Sequence, residues 1–155
     1  MAISTHRPSG YRGPSASTSA PWLGTASSVA FTLLRVMAGL MLVQHGVQKH
    51  FGWLVPAARP WGGAPDPFSQ PWIAGTLEIG GGILLALGLF TRPVAFLLSG
   101  LMAFAYFLSH APRGFWPILN DGELPALYAF VFLTFAAIGG GPYSVDALFR
   151  GRKKR

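Results

Sequence analysis

The sequence predicts an all-α integral membrane protein, a bundle of four transmembrane helices with both termini in the cytoplasm. Three observations carry that fold class. Charged residues make up only 11% of the 155 residues, against about 25% in a typical soluble domain. Apolar residues make up 51%, and the mean hydropathy is +0.42. A soluble domain this small has a large surface to cover with polar groups, and so few charges do not cover it. Finally, four windows approach the roughly 20 helical residues that cross about 30 Å of hydrocarbon.

Residues 1–28 are rich in Ser, Pro, Gly, Thr and Ala and hold no apolar run, so they read as a disordered cytoplasmic segment. The first span is residues 29–48. It is too long, and starts too late, for the apolar part of a cleaved signal peptide, and reads as a retained helix. Residues 51–71 form a long loop with five Pro and two Trp. The second span is residues 72–90. Thr91-Arg92-Pro93 makes a tight turn into the third span, residues 93–111, so these two spans form a helical hairpin. A second loop carries Gly114, Phe115, Trp116 and Pro117, aromatics suited to the headgroup zone. Both loops read as interfacial anchors, with a lid over the bundle as the alternative. The fourth span is residues 124–141. Beyond it, Ser144 is placed to cap a short amphipathic helix through Asp146, Ala147, Leu148 and Phe149. A basic tail, residues 150–155, closes the chain. The membrane domain is thus residues 29–149.

The net charge of +7 comes from the tails, because residues 14–149 hold five bases and five acids. A basic nucleic-acid face is therefore not expected. With four spans both termini share a side, and that side carries eight Lys or Arg against three on the other. The bias puts it in the cytoplasm, with the tail against anionic lipid. There is no Cys, which excludes disulfides, thiolate metal sites and thiol redox relays. Gly75 with Gly82, Gly81 with Gly88, and the ladder Ala95, Ser99, Ala103 provide faces for close helix packing.

Charges within spans are costly and mark candidate sites. Arg35 and Glu78 each lie about 9 Å into their spans, entering from opposite sides. They therefore stand roughly 12 Å apart in depth, and direct pairing is not expected. Glu78 instead shares its level with His45. Lys49 lies one turn beyond His45 on the same helix face, His110 ends span three on that side, and Glu123 opens span four there. His45, Lys49, Glu78, His110 and Glu123 can converge at the outer mouth of the bundle. Such a set, in an apolar frame, suits a quinone headgroup, a proton relay or a small anion. It equally suits an ion-pair network that fixes helix register. A metal site is chemically allowed, but no short ligand motif occurs and none is expected. Arg35 has Asp146, Tyr143 and the carbonyls of Gly139–Gly141 as candidate partners. Arg35–Asp146 is the preferred structural pair, and Arg92 is expected to snorkel at its turn.

The stretches LLRVMAGLMLVQHGVQKHFG, LEIGGGILLALGLFTRPVA, HAPRGFWPILNDGELPALYAFVFL and GGGPYSVDALF together resemble the DoxX family of small four-helix bacterial membrane proteins. The resemblance covers about residues 33–149 and weights Arg35, His45, Gly46, Lys49, Glu78, Gly82, Arg92, His110, Gly114, Glu123 and Asp146. Least like the family is the loop 51–71. The resemblance implies a multi-pass protein of the bacterial inner membrane, and an accessory or quinone-interacting subunit of a redox complex. Some relatives look like subunits of a thiosulfate:quinone oxidoreductase. Others are membrane partners of sulfurtransferase and superoxide-dismutase proteins. On this reading Glu78, His45 and Lys49 carry the chemistry, with Glu78 shuttling a proton. The cofactor is a non-covalent quinone, and the partners are the lipid bilayer, redox proteins and further copies of the chain. A non-enzymatic membrane scaffold is the second expectation and a small transporter the third, since no broken-helix pattern occurs.

Overall fold

A computed structural model describes residues 21–55 and 62–152, and all regular structure among them is helical. Helix α1 spans Pro21–Phe51, α2 Gln70–Leu87, α3 Thr91–Ala105, α4 Glu123–Ile138 and α5 Val145–Arg152. Helix α3 continues through a π turn at Tyr106–His110 and a 3-10 turn at Ala111–Arg113. Among the described residues two stretches are long and apolar enough to cross a membrane, Gly24–Phe51 and Thr91–Arg113. Helices α2 and α4 are shorter, at 18 and 16 residues.

The first helix starts eight residues before the expected span boundary, and residues 21–28 are helical rather than disordered. Proline at a helix start sacrifices no intrahelical hydrogen bond. The hydroxyls of Ser27, Ser28 and Thr32 donate back to the carbonyls of Gly24, Gly24 and Ser28. Their side chains are thereby satisfied within the helix, although composition suggested a flexible tail. Residues 1–20, and residues 56–61 of the first loop, lie outside the described residues, as do the readings placed on them. So do residues 153–155 of the basic tail.

Helix α1 packs along α2, and α3 along α4. The α1–α2 contact is a glycine ladder. A Cβ on Gly39 would stand 2.6 Å from the Gly82 carbonyl oxygen, and one on Gly82 would stand 2.7 Å from that of Gly39. Seven residues along, a Cβ on Gly46 would meet the Gly75 carbonyl at 2.6 Å. Two glycine pairs spaced by a heptad on antiparallel helices let the backbones touch. On the other pair, Ser99 Oγ donates to the Ala129 carbonyl at 2.8 Å, which joins the expected small-residue ladder to α4. The buried core draws on all four long helices: Ala38 and Leu42, Leu85, Ala95, Leu98 and Met102, then Tyr128, Phe132 and Phe135. Phe31 closes one end, edge-on to Phe135 at 5.0 Å. Large apolar side chains also cover the outside, among them Phe96, Phe107, Leu127 and Phe130. An outer surface this apolar suits lipid rather than water.

The α2–α3 turn is clamped from both sides. Gly88 ends α2 in the left-handed conformation (φ 71°), and a Cβ there would collide with Ser144 and with the Arg35 guanidinium. Arg35 is 1% exposed. Its Nη1 donates to the carbonyls of Leu85 and Ala86, both at 2.6 Å, and its Nη2 to that of Tyr143 at 2.8 Å. A cation thus sits on the last carbonyls of α2, where the helix dipole favours it. Asp146 does the opposite for α3. Its two carboxylate oxygens accept from the backbone N–H groups of Phe90 and Thr91, each at 2.8 Å. Its own N–H donates to the Gly88 carbonyl at 2.9 Å.

The preferred Arg35–Asp146 ion pair therefore does not form. Each charge is claimed by one end of the turn, because fixed backbone dipoles within reach satisfy it without bringing the two side chains together. Tyr143, an expected alternative, is a partner of Arg35, through its backbone carbonyl. Ser144 caps α5 as expected, its Oγ accepting from Ala147 N–H at 3.2 Å. Arg92 reaches the Ile138 carbonyl at 3.5 Å.

Candidate functional site

At the far end of the bundle from the Arg35 clamp, α1, α2, α3 and α4 enclose a cavity of about 240 Å³. His45 and Lys49 reach it from α1 and Glu78 from α2. Met102 and Ala105 reach it from α3, His110 from the π turn, and Leu124, Pro125 and Tyr128 from α4. Lys49 Nζ lies 2.5 Å from Glu78 Oε1. The Glu78 side chain is 5% exposed and that of Lys49 37%, so the pair runs from the interior to the edge. Glu78 and Arg35 do not meet, as their depths require. The ion pairs among the described residues are Lys49–Glu78 and Arg113–Asp121.

Two polar atoms of the lining are buried without a partner: Glu78 Oε2 and the Tyr128 hydroxyl. Their residues are 4% and 6% exposed. A buried polar group left unpaired costs on the order of 1–3 kcal/mol, and one in a cavity is satisfied by whatever fills it. The carboxylate oxygen accepts, while the phenol donates or accepts. His45 has no hydrogen-bond partner among the described residues and adds a donor or acceptor nearby. The cavity therefore offers at least one acceptor, one phenol and one imidazole, framed by Leu42, Met102 and Leu124.

His110 is held at the rim. Its Nδ1 lies 3.0 Å from the Asn120 carbonyl oxygen and 2.9 Å from Arg113 Nη2. One nitrogen serves only one of these at a time, donating to the carbonyl or accepting from the guanidinium. The π turn that carries His110 is a rare element, frequent at functional sites. Asn120, 1% exposed, knits the loop beneath. Its Nδ2 donates to the Gly114 carbonyl at 2.7 Å and its Oδ1 accepts from Gly122 N–H at 2.8 Å. The loop points Phe115, Trp116, Ile118 and Leu119 outward, at 63–80% exposure.

The structure thus brings His45, Lys49, Glu78 and His110 together around one cavity. Glu123 is excluded. It opens α4 with its side chain exposed. Five residues before Tyr128, it stands about 140° around the helix from it, and Asp121 takes the acidic place in the lining. Sequence reasoning missed Tyr128, which lay hidden in an apolar span, and Asp121. The signal for Tyr128 was available as the one polar-tipped residue in span four level with Glu78.

At the clamped end, Asp146 is the group with a resolved shift outside the spans. Burial pushes its pKa up. The Thr91 and Phe90 backbone N–H groups, aided by the Arg150 charge, outweigh burial and hold the carboxyl below its ordinary value.

A family model described as DoxX matches residues 30–111. An uncharacterised protein of Haemophilus influenzae is 43% identical over 119 residues, which covers 75% of this chain and 87% of that protein. The Inner membrane protein YphA of Escherichia coli is 30% identical over 134 residues, covering 79% of this chain and 92% of YphA. No solved structure matches the chain.

Proposed function

The chain belongs to the DoxX family, and from that premise we propose that it is a four-span inner-membrane subunit of a redox complex whose outer cavity holds a quinone headgroup. The inner-membrane assignment follows the relative YphA. Helices α1 to α4 are the spans, α3 counted together with its π and 3-10 turns. Both termini face the cytoplasm, and α5 lies on the inner surface with Leu148 and Phe149 toward lipid. The bundle of residues 29–149 is the working unit, and the tail is its anchor on anionic lipid.

The observation that carries the cavity assignment is the pair of buried, unpartnered atoms, Glu78 Oε2 and the Tyr128 hydroxyl, on residues that line one cavity with His45 and Lys49. A volume of about 240 Å³ is below the usual range for a whole drug-sized ligand, about 300–1,000 Å³, and suits a single ring. A quinone supplies reversible two-electron, two-proton chemistry between two oxygens on such a ring. The Tyr128 hydroxyl and Lys49 ammonium donate to an oxygen in its carbonyl form, and Glu78 Oε2 accepts from it in its hydroxyl form. Glu78 is thus placed to give or take the proton, and Lys49 to balance its charge. With no Cys in the chain, electrons come from a partner protein or an inorganic sulfur donor. The test is donor-dependent quinone reduction by the complex purified in mild detergent. Glu78→Gln is expected to abolish it with the helices intact. Full activity in that variant would remove Glu78 from the chemistry.

A second reading, a membrane scaffold without turnover, is favoured by the Arg35 and Asp146 clamp, which commits both charges to holding a turn. It predicts loss of folded protein, rather than of turnover, in Glu78→Gln.

A further inference from the structure

Outside the cavity, on the lipid-facing side of the α2–α3 contact, runs an apolar groove. Its outer section, about 460 Å³, is lined by Gln70, Ile73 and Ala74 of α2 and by Leu101 and Phe104 of α3. A second section of about 450 Å³ continues it toward the middle of the bundle and shares Leu101 and Phe104. The groove exists because α2 and α3 pack sparsely along this stretch. Where they do meet, a Cβ on Gly81 would collide with Leu98, whereas one on Gly100 would meet nothing within 4 Å.

This groove and the polar cavity share two lining residues, Lys49 and Ala105. Ala105 is the last residue of α3 before the π turn, and its small side chain leaves the wall thin. Lys49 is the other part of the wall, held by Glu78 Oε1. A headgroup that accepts from the Lys49 ammonium competes with Glu78 Oε1 for it. One partition, an alanine and a flexible amine, thus separates a site with polar requirements from a channel with apolar ones.

We infer that the ligand of the cavity is a lipid-dissolved amphiphile, a polar ring carrying a hydrocarbon chain. It enters sideways between α2 and α3 past Lys49 and Ala105, and its chain stays in the groove. This rests on the headgroup reading of the cavity and adds the route and the class of ligand. A water-soluble ion has no use for the groove. The chain does, because apolar area buried there is removed from competing detergent or lipid contacts in one fixed place.

The test uses the full-length protein in lipid nanodiscs and two probes, a benzoquinone with no chain and the same ring bearing a decyl chain. Binding is measured for wild type, Ala74→Trp and Ile73→Trp. Both substitutions fill the groove at residues that are not themselves part of the cavity lining. The decyl probe is expected to bind both variants at least roughly tenfold more weakly than wild type, with the chain-free probe unchanged. The unchanged chain-free probe also reports that each variant is folded. Equal binding of the decyl probe by wild type and both variants would overturn lateral entry and leave the cavity reading intact. Failure of either probe to bind wild type would overturn the cavity reading and the inference with it.

Discussion

Replacing Asp146 by Asn tests the clamp that sets the α2–α3 turn. In the wild type two carboxylate oxygens each accept a backbone N–H of the first turn of α3, at 2.8 Å. An amide keeps one acceptor and turns an NH₂ toward the second N–H. One charge-assisted hydrogen bond is lost, of the class worth about 1.5–3 kcal/mol. The favourable charge at a helix N-terminus is lost too, about 0.3–1 kcal/mol. The carboxylate is partly exposed, so screening holds the expected cost to roughly 2 kcal/mol. That corresponds to an apparent Tm lowered by roughly 4–8 °C for a chain of this length. The assay is thermal unfolding in mild detergent, for wild type and variant at equal concentration, across pH.

The pH dependence has a definite sign. Hydrogen bonds from Thr91 and Phe90 hold the folded-state pKa of Asp146 below its ordinary value, despite burial. Its contribution is therefore complete above the unfolded pKa of about 3.9 and is lost as pH falls through the lower folded value. The gap between wild type and Asp146→Asn is expected to be constant from neutral pH down to about pH 5 and to close on further acidification. No gap at neutral pH, or a gap that widens on acidification, would refute the capping role.

Arg35→Lys is expected to destabilise strongly, by about 3 kcal/mol or more, since a point charge cannot serve the carbonyls of Leu85, Ala86 and Tyr143 together. The same unfolding assay checks it. Gly39→Leu drives a side chain into the Gly82 carbonyl. It is expected to separate α1 from α2, seen as loss of monodisperse protein on size exclusion, whereas Gly100→Leu is tolerated. Tyr128→Phe removes a buried, unpartnered hydroxyl. Its apparent Tm is expected to stay level or rise, while affinity for the quinone headgroup falls by about tenfold, the worth of one hydrogen bond.

The helical windows were legible because hydropathy and charge add up locally. Residues 72–90 and 124–141 coincide with α2 and α4 to within three residues at each end. Depth arithmetic carried further: a rise of 1.5 Å per residue separated Arg35 from Glu78 and brought Glu78 to Lys49, His45 and His110. The contacts that failed to show are those made across long sequence separations. Asp146 caps a helix 55 residues earlier, and no spacing rule connects a carboxylate to a distant backbone amide. The preferred Arg35–Asp146 pair followed from opposite charges on one side, yet helix ends compete for the same charges and win. Glu123 failed for a different reason, because level alone does not give azimuth. The Gly75–Gly82 spacing was visible. Its partners Gly39 and Gly46 carry the same spacing of seven, and only the antiparallel register of α1 and α2 joins them.

A quinone held at Glu78 is tested by native mass spectrometry of the protein extracted in mild detergent, wild type beside Glu78→Gln. Folded wild type is expected to retain a quinone that equally folded Glu78→Gln lacks. Wild type free of quinone, or a variant that retains it in equal amount, would rule out a quinone site at Glu78.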